Sequence, residues 1–318
     1  MHNLRLSMNA LILIIFATTF AASVQAQNTR SFVSGIGDDN NDCLRATPCK
    51  TFAGAIAKTG INGEINCVDN DGYGAVTITK SITIDCEDTQ GAILGSGTSG
   101  VIVNLGPASP ADPKRIVRLR GLSINGQGTG SRGIWAVTGN GAPTTIHVDQ
   151  VVIAGFSEGI LFNSDGGELI VRNSTIEDCS VRGVTVDSGV AFQLVFATLE
   201  GSNFVHNAEG IRVETSAFVT AANCNISSNN ADGAIISTPD STLSDLNLYN
   251  CMIAGNGQSG VSANSSTSPP VVRLSGNHIV NNSKGVFNNA TVLSRGNNTI
   301  SGNGVDIDGP PFGVIPSL

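Results

Sequence analysis

Asn223-Cys224-Asn225-Ile226-Ser227-Ser228-Asn229 and Asn250-Cys251-Met252-Ile253-Ala254-Gly255-Asn256 are two copies of one pattern. In each, an Asn stands three residues before a central Ile, a Cys two before it and an Asn three after it. Working outward, the same centre recurs at Ile124, Ile153, Ile176, Phe204, Ile279 and Ile300, and the spacings run from 21 to 29 residues. Each centre is followed by a Gly-apolar pair: Gly133-Ile134, Gly159-Ile160, Gly183-Val184, Gly210-Ile211, Gly233-Ala234, Gly260-Val261, Gly285-Val286 and Gly304-Val305. A period of this length is that of a solenoid.

Within a copy, an alternating strand (Val117 and Leu119, Ile146 and Val148, Ile170) runs into a polar turn, the marker residue, a second corner and the Gly-apolar strand. Alternation buries one face and wets the other. Three short strands per copy leave no room for a helix, so each strand is expected to pair in parallel with its equivalents above and below. Two Asn columns support this stacking. Asn207, Asn229, Asn256, Asn282 and Asn303 lie three residues after the marker; Asn173, Asn223, Asn250 and Asn297 lie three before it, with Gly121, Gly201 and Gly276 substituting. Asn and Gly accept the left-handed conformation of a sharp corner, and stacked amides can hydrogen-bond from rung to rung.

Residues 1–26 read as a secretory signal peptide: Arg5, an apolar Leu11 to Phe16 core, and Val24-Gln25-Ala26 before the cleavage point. The mature chain of about 290 residues is expected to be secreted or periplasmic. Loss of Arg5 leaves 16 basic residues against 25 acidic ones and moves the net charge from −8 to −9. Such a surface is a poor partner for nucleic acid, and no later run is apolar enough for a membrane span. Only 13% of residues are charged, while Gly, Asn, Ser and Thr abound, as in a chain of short strands and tight turns. All seven cysteines follow the leader. Cys43 with Cys49, and Cys67 with Cys86, are the bridgeable pairs. Cys224 and Cys251 suit either a bridge or stacked thiols, and Cys179 reads as a buried small hydrophobe. Connectivity beyond the first two pairs, and oligomeric state, are open.

Ahead of the repeats, Pro48-Cys49-Lys50-Thr51-Phe52-Ala53-Gly54-Ala55-Ile56-Ala57-Lys58 sets Phe52, Ala55 and Ile56 at helical spacing. A short helix here would plug the open end of the coil, as terminal units must. Gly63 to Val68 and Ala75 to Ile84 supply the first rungs. This order of cap, I-T-K-S-I-T-I strand and Asn-cornered repeats resembles the bacterial right-handed parallel β-helix proteins of the pectin-lyase-like superfamily, over essentially the whole mature chain. The resemblance implies an all-β, single-stranded right-handed parallel β-helix of roughly ten rungs, with a signal peptide at 1–26, a cap at 27–62, the coil at 63–309 and a tail at 310–318. It further implies a secreted protein that acts on or binds polysaccharide. The superfamily's catalytic signatures, such as Arg-x-Pro-x-x-Arg or Asp-Pro-His-Asp, do not occur in the sequence, so whether the chain is an enzyme stays undecided at this level.

Two columns alternate in sign. Four residues before the marker stand Arg120, Asp149, Arg172 and Glu200; immediately before the glycine stand Arg132, Glu158, Arg182 and Glu209. Read as ladders, they pin register, each exposed pair contributing about 0–1 kcal/mol. Read as a ligand groove, Arg118, Arg120, Arg172 and Glu200, with Trp135 on the neighbouring strand, bind a polysaccharide: arginines clamp uronate carboxylates and the indole stacks on a sugar ring. His147, Asp149 and Arg172 are then the catalytic candidates, with His147 beside Asp149 as general base. Asp149 and Glu200, two rungs apart, stand roughly 10 Å from each other, too far for a hydrolytic pair, so binding or β-elimination of an acidic polysaccharide is the expected chemistry. A non-catalytic structural or surface-interaction scaffold is the alternative. The insertions around Gly106 to Lys114 and Gly126 to Arg132 are expected to flank the patch. Asp38, Asp39 and Asp42 offer clustered oxygens suited to calcium, but a polar loop tied by Cys43 and Cys49 accounts for them as well, and no cofactor is expected. Gly155-Phe156-Ser157-Glu158-Gly159 fits a nucleophile pattern without its strand–turn–helix setting.

Overall fold

The computed structural model describes residues 27–107, 109–137, 141–190, 193–238, 243–265 and 270–315. The expected leader at 1–26 and residues 316–318 of the tail lie outside them. Each turn of the chain lays down three strands, and these stack into three columns. The first column is a sheet of 12 strands from Asn28–Val33 to Gly313–Val314. The second carries the marker residues and the third the Gly-apolar pairs; all inter-rung pairings are parallel.

The repeat read from the sequence sets the register. Ile124 pairs with Ile153, Ile153 with Ile176, Ile176 with Phe204 and so on to Ile279 with Ile300, and the stack extends one rung upstream to Ile93. In the first column, Val117 and Leu119, Ile146 and Val148, and Leu169 and Val171 are buried and stack in register. Each fully buried Val, Leu or Ile contributes about 1.5–3 kcal/mol, so the column is a continuous apolar spine. Ile170, expected inside, instead pairs with His147 on the outer face; Leu169 and Val171 hold the inward positions. The last rung is also out of step with the expectation. Ile307, not Val305, pairs with Val286, while Val305 pairs with Lys284 and is exposed.

Both Asn columns act at corners, in different ways. Asn173, Asn223 and Asn250, with Gly121, Gly201 and Gly276, take positive φ; in the last copy Gly296 does so rather than Asn297. The other column is buried and bonded through its side chains. Asn229 Nδ2 donates to Asn256 Oδ1 at 2.9 Å, Asn256 to Asn282 at 2.8 Å and Asn282 to Asn303 at 2.9 Å. The series stops where Asn303 donates to the Asp306 carboxylate. Every amide thereby satisfies a buried polar group that would otherwise cost about 1–3 kcal/mol.

At the N-terminal end, Phe52–Lys58 forms the expected helix, with Phe52, Ala55 and Ile56 buried and Thr51 Oγ1 accepting from the Gly54 amide. Disulfides join Cys43 to Cys49 and Cys67 to Cys86, while Cys179, Cys224 and Cys251 are buried thiols. Burial pushes the Cys179 thiol up to about 12, which fits a packing role. Gly95, Gly126 and Gly130 make room for the buried Phe156 ring, since a Cβ at any of them would press on it. The Gly155–Gly159 stretch is thus a rung corner anchored by Phe156, with no helix following. No described helix is long and apolar enough to cross a membrane.

Candidate functional site

Outward positions of the first column form three rows. The middle row runs Thr83, Arg118, His147, Ile170, Thr198 and Thr220. Beside it run Asp85, Arg120, Asp149, Arg172 and Glu200, and on its other side Ile116, Thr145, Glu168, Phe196 and Phe218. Strand pairing alone therefore brings Arg118, Arg120, His147, Asp149, Arg172 and Glu200 onto one surface, as the sequence spacing predicts.

The first five of these, with Val148 and Ile170, line a cavity of about 260 Å³. Its wall carries three arginines and one aspartate. The arginines differ in their engagement. Arg120 is held by Asp85 at 3.0 Å and Glu87 at 2.5 Å, with Asp149 at 3.9 Å. Arg172 pairs with Glu200 at 3.2 Å, both side chains half exposed. Arg118 is exposed and has no ion pair among the described residues. Burial, then the charges of Arg118 and Arg172, hold His147 below the ordinary imidazole value, so it is neutral at neutral pH and can accept a proton. Asp149 does not hydrogen-bond to it. That carboxylate accepts from Asn173 Nδ2 at 3.2 Å instead, so the expected His147–Asp149 dyad is absent.

Trp135 is not part of this surface. It lies in the third column, paired with Ile102 and Leu161, and the Arg132 guanidinium covers its ring at 4.5 Å. The second charged ladder is there too: Arg132 faces Glu158, Glu158 faces Arg182 and Arg182 faces Glu209. Its ion pairs link Glu158 to both arginines at 3.3 and 3.5 Å, and Arg212 closes onto Glu209 and Glu214 at 3.0 and 2.5 Å. Of the two insertions, residues 126–132 fall inside the strand Leu122–Ala136, at the corner between second and third columns, away from the patch. Of the other insertion, residues 109–114 do lead into its first strand, fixed by buried Asp112 on Ser81 and by Arg115 on the Gly106 and Pro143 carbonyls.

The sequence reading missed an aromatic pair. Phe196 and Phe218 stand side by side on the outer face, ring centroids 5.6 Å apart, and Phe196 is 47% exposed. With Glu168, Thr198 and Thr220 they line a second cavity of about 460 Å³. A third, of about 410 Å³, lies toward the cap between Arg30 and Thr89 and reaches Asp85 and Glu87, the partners of Arg120. The signal for the pair was available: both phenylalanines stand eight residues before their markers, Phe204 and Ile226.

The residues of the Asp38–Asp42 loop do not fit a calcium site. Asp39 accepts from the Lys50 and Thr51 amides and the Thr51 hydroxyl, and Lys58 Nζ donates to the Asp39 and Asn41 carbonyls. Desolvation raises the Asp39 carboxyl, but these hydrogen bonds and the Lys58 charge outweigh it and hold the group low. Lys58 thus already takes up two of the loop's carbonyl oxygens.

A family model described as "right handed beta helix region" matches residues 158–310. No curated protein sequence matches the chain. Among solved structures, pectate lyase Pel9A superposes with a TM-score of 0.67 at 14% identity, over 91% of this chain and 80% of the lyase. The A-module of mannuronan C-5 epimerase AlgE4 from Azotobacter vinelandii gives 0.51 at 15% identity, over 89% and 96%. The GH136 lacto-N-biosidase from Eubacterium ramulus gives 0.52 at 13%, over 90% and 67%. At these identities the likeness is one of fold. The chain has the right-handed parallel β-helix fold, and residues 158–310 match the family model of that fold.

Proposed function

We propose that this chain is an exported protein that binds an acidic polysaccharide along the outer face of its first sheet. The observation that carries the reading is the 260 Å³ cavity in which Arg118 and Arg172 flank His147 and Arg118 has no ionic partner among the described residues. A free guanidinium beside a second one offers bidentate hydrogen bonds to a uronate carboxylate. The two disulfides suit an oxidising compartment, and the structural neighbours include a pectate lyase and a mannuronan epimerase.

The same site has the parts for β-elimination. Guanidinium pairing to the carboxylate acidifies the proton on the adjacent ring carbon, and neutral His147 is the group able to take it. The C–H electron pair becomes the new C=C bond, the neighbouring C–O bond breaks, and the leaving oxygen takes a proton from water. A second reading, a non-catalytic scaffold, draws on the closed ion-pair ladder of the third column, which resembles a stabilising device rather than a site.

The test is binding of the purified protein to an array of acidic and neutral polysaccharides, with ultraviolet absorbance followed for unsaturated products. Polyuronate binding that vanishes in Arg118→Ala/Arg172→Ala supports the groove, and rising absorbance adds the lyase step. Failure to bind any glycan overturns the reading in favour of the scaffold.

A further inference from the structure

The arginine cavity and the phenylalanine cavity meet, because Ile170 of the first pairs with Thr198 of the second on the next strand. Their chemistry is opposed. The second holds two phenyl rings, two threonines and Glu168, and no cation lines it. Glu168 has no ionic partner among the described residues, and its carboxylate would repel a second uronate. An exposed phenyl pair on a sheet surface presents a flat apolar plate of the kind that takes the C–H face of a sugar ring, while Glu168, Thr198 and Thr220 can hydrogen-bond its hydroxyls. From the Arg172 rung to the Phe196 rung is one step, roughly 5 Å, about the advance of one sugar residue along a chain.

Building on the acidic-polysaccharide reading, we infer that the ligand is a mixed glycan, with a uronic acid on Arg118 and Arg172 and a neutral sugar stacked on Phe196 and Phe218. A homopolymer of uronic acid would bring a carboxylate to every position, Glu168 included. A neutral homopolymer would leave the arginines unanswered. A chain that sets a neutral sugar beside a uronate, as an alternating glycan does, satisfies both cavities at once.

Calorimetric titration of the full chain with three hexasaccharides decides this: hyaluronan, which alternates uronate and neutral amino sugar, oligomannuronate, which is all uronate, and cellohexaose, which is neutral. Wild-type protein is expected to bind the alternating probe about tenfold more tightly than oligomannuronate. Phe196→Ala/Phe218→Ala should abolish that preference and leave oligomannuronate affinity unchanged; Phe196→Trp should retain it, and circular dichroism checks that each variant folds. Glu168→Gln should tighten oligomannuronate binding and so narrow the gap. Oligomannuronate binding equal to or tighter than hyaluronan binding, or a preference untouched by loss of both rings, overturns the mixed-glycan inference while leaving acidic-glycan binding intact. Absence of binding to all three probes overturns both.

Discussion

The two charged ladders are built by the same rule and end in different states. In the third column, Arg182 sits among Glu158, Glu209 and Glu214, and Arg212 bridges the last two, so cation meets anion on every side. In the first column the alternation Arg120, Asp149, Arg172, Glu200 has a second row beside it, and that row supplies Arg118 and His147 without matching acids. One ladder is closed on every side, and the other leaves one arginine, Arg118, without an ion pair among the described residues. Alternation of sign therefore says that rungs are in register; the neighbouring row decides whether the surface has charge to spare for a ligand.

The comparison can be broken most forcefully at the arginines. Arg118→Ala/Arg172→Ala should weaken uronate binding by about 100-fold or more, at roughly 1.5–3 kcal/mol per charged hydrogen-bonding group, with little change in melting temperature. Equal binding by variant and wild type in calorimetry would end the open-face interpretation. Arg182→Ala should do the reverse. It leaves three carboxylates crowded together and should cost about 2 kcal/mol of stability, a drop of several degrees in a thermal melt, with glycan affinity untouched. If Arg182→Ala melts like wild type, the closed network is not stabilising.

A smaller effect follows from His147. Its folded-state value is held below the unfolded one, near 6.5, so the unfolded chain binds the proton more readily. The stability tied to the neutral ring is present above that pH and is lost as acidification passes through the lowered folded value. His147→Gln should show a shallower loss of stability on acidification in pH-dependent melts; curves parallel to wild type would remove His147 from the account. Smallest of all, Trp135→Phe should leave glycan binding within twofold, because the indole lies under Arg132 on the closed face; a large loss would move the site to the other side of the coil.

Most of the fold could be read from the chain because a solenoid repeats each decision. The marker Ile, the Asn corners and both ladders recur, so each copy checks the last. The misreadings cluster where repetition gave out. Ile170 was misplaced because the strand Gly167–Arg172 offers Leu169, Ile170 and Val171 in a row, and apolarity alone does not choose between faces; the stacking of Leu169 under Ile146 does. Val305 and Asn297 depart from the pattern in the last copy, where among the described residues no later strand stacks on Thr299–Ser301 or Val305–Asp308. Trp135 was assigned by adjacency along the chain, but a corner separates its strand from the arginines. Phe196 and Phe218 are hidden in strands whose inward residues (Val195 and Ala197, Ala217 and Val219) are apolar as well, so apolarity alone does not mark them as outward. Side-chain pairing was the least legible layer: register places Arg118 on the surface, but only three-dimensional packing reveals that it lacks an acid.

The asparagine column also has a direction and a last word. Each amide both takes from one neighbour and gives to the next, like links that close only in one orientation, until Asp306 receives and has no amide proton to pass on. A carboxylate in that position works as a full stop. Lengthening the coil past this point would need a further rung whose asparagine takes over from Asp306 as the acceptor of the Asn303 amides.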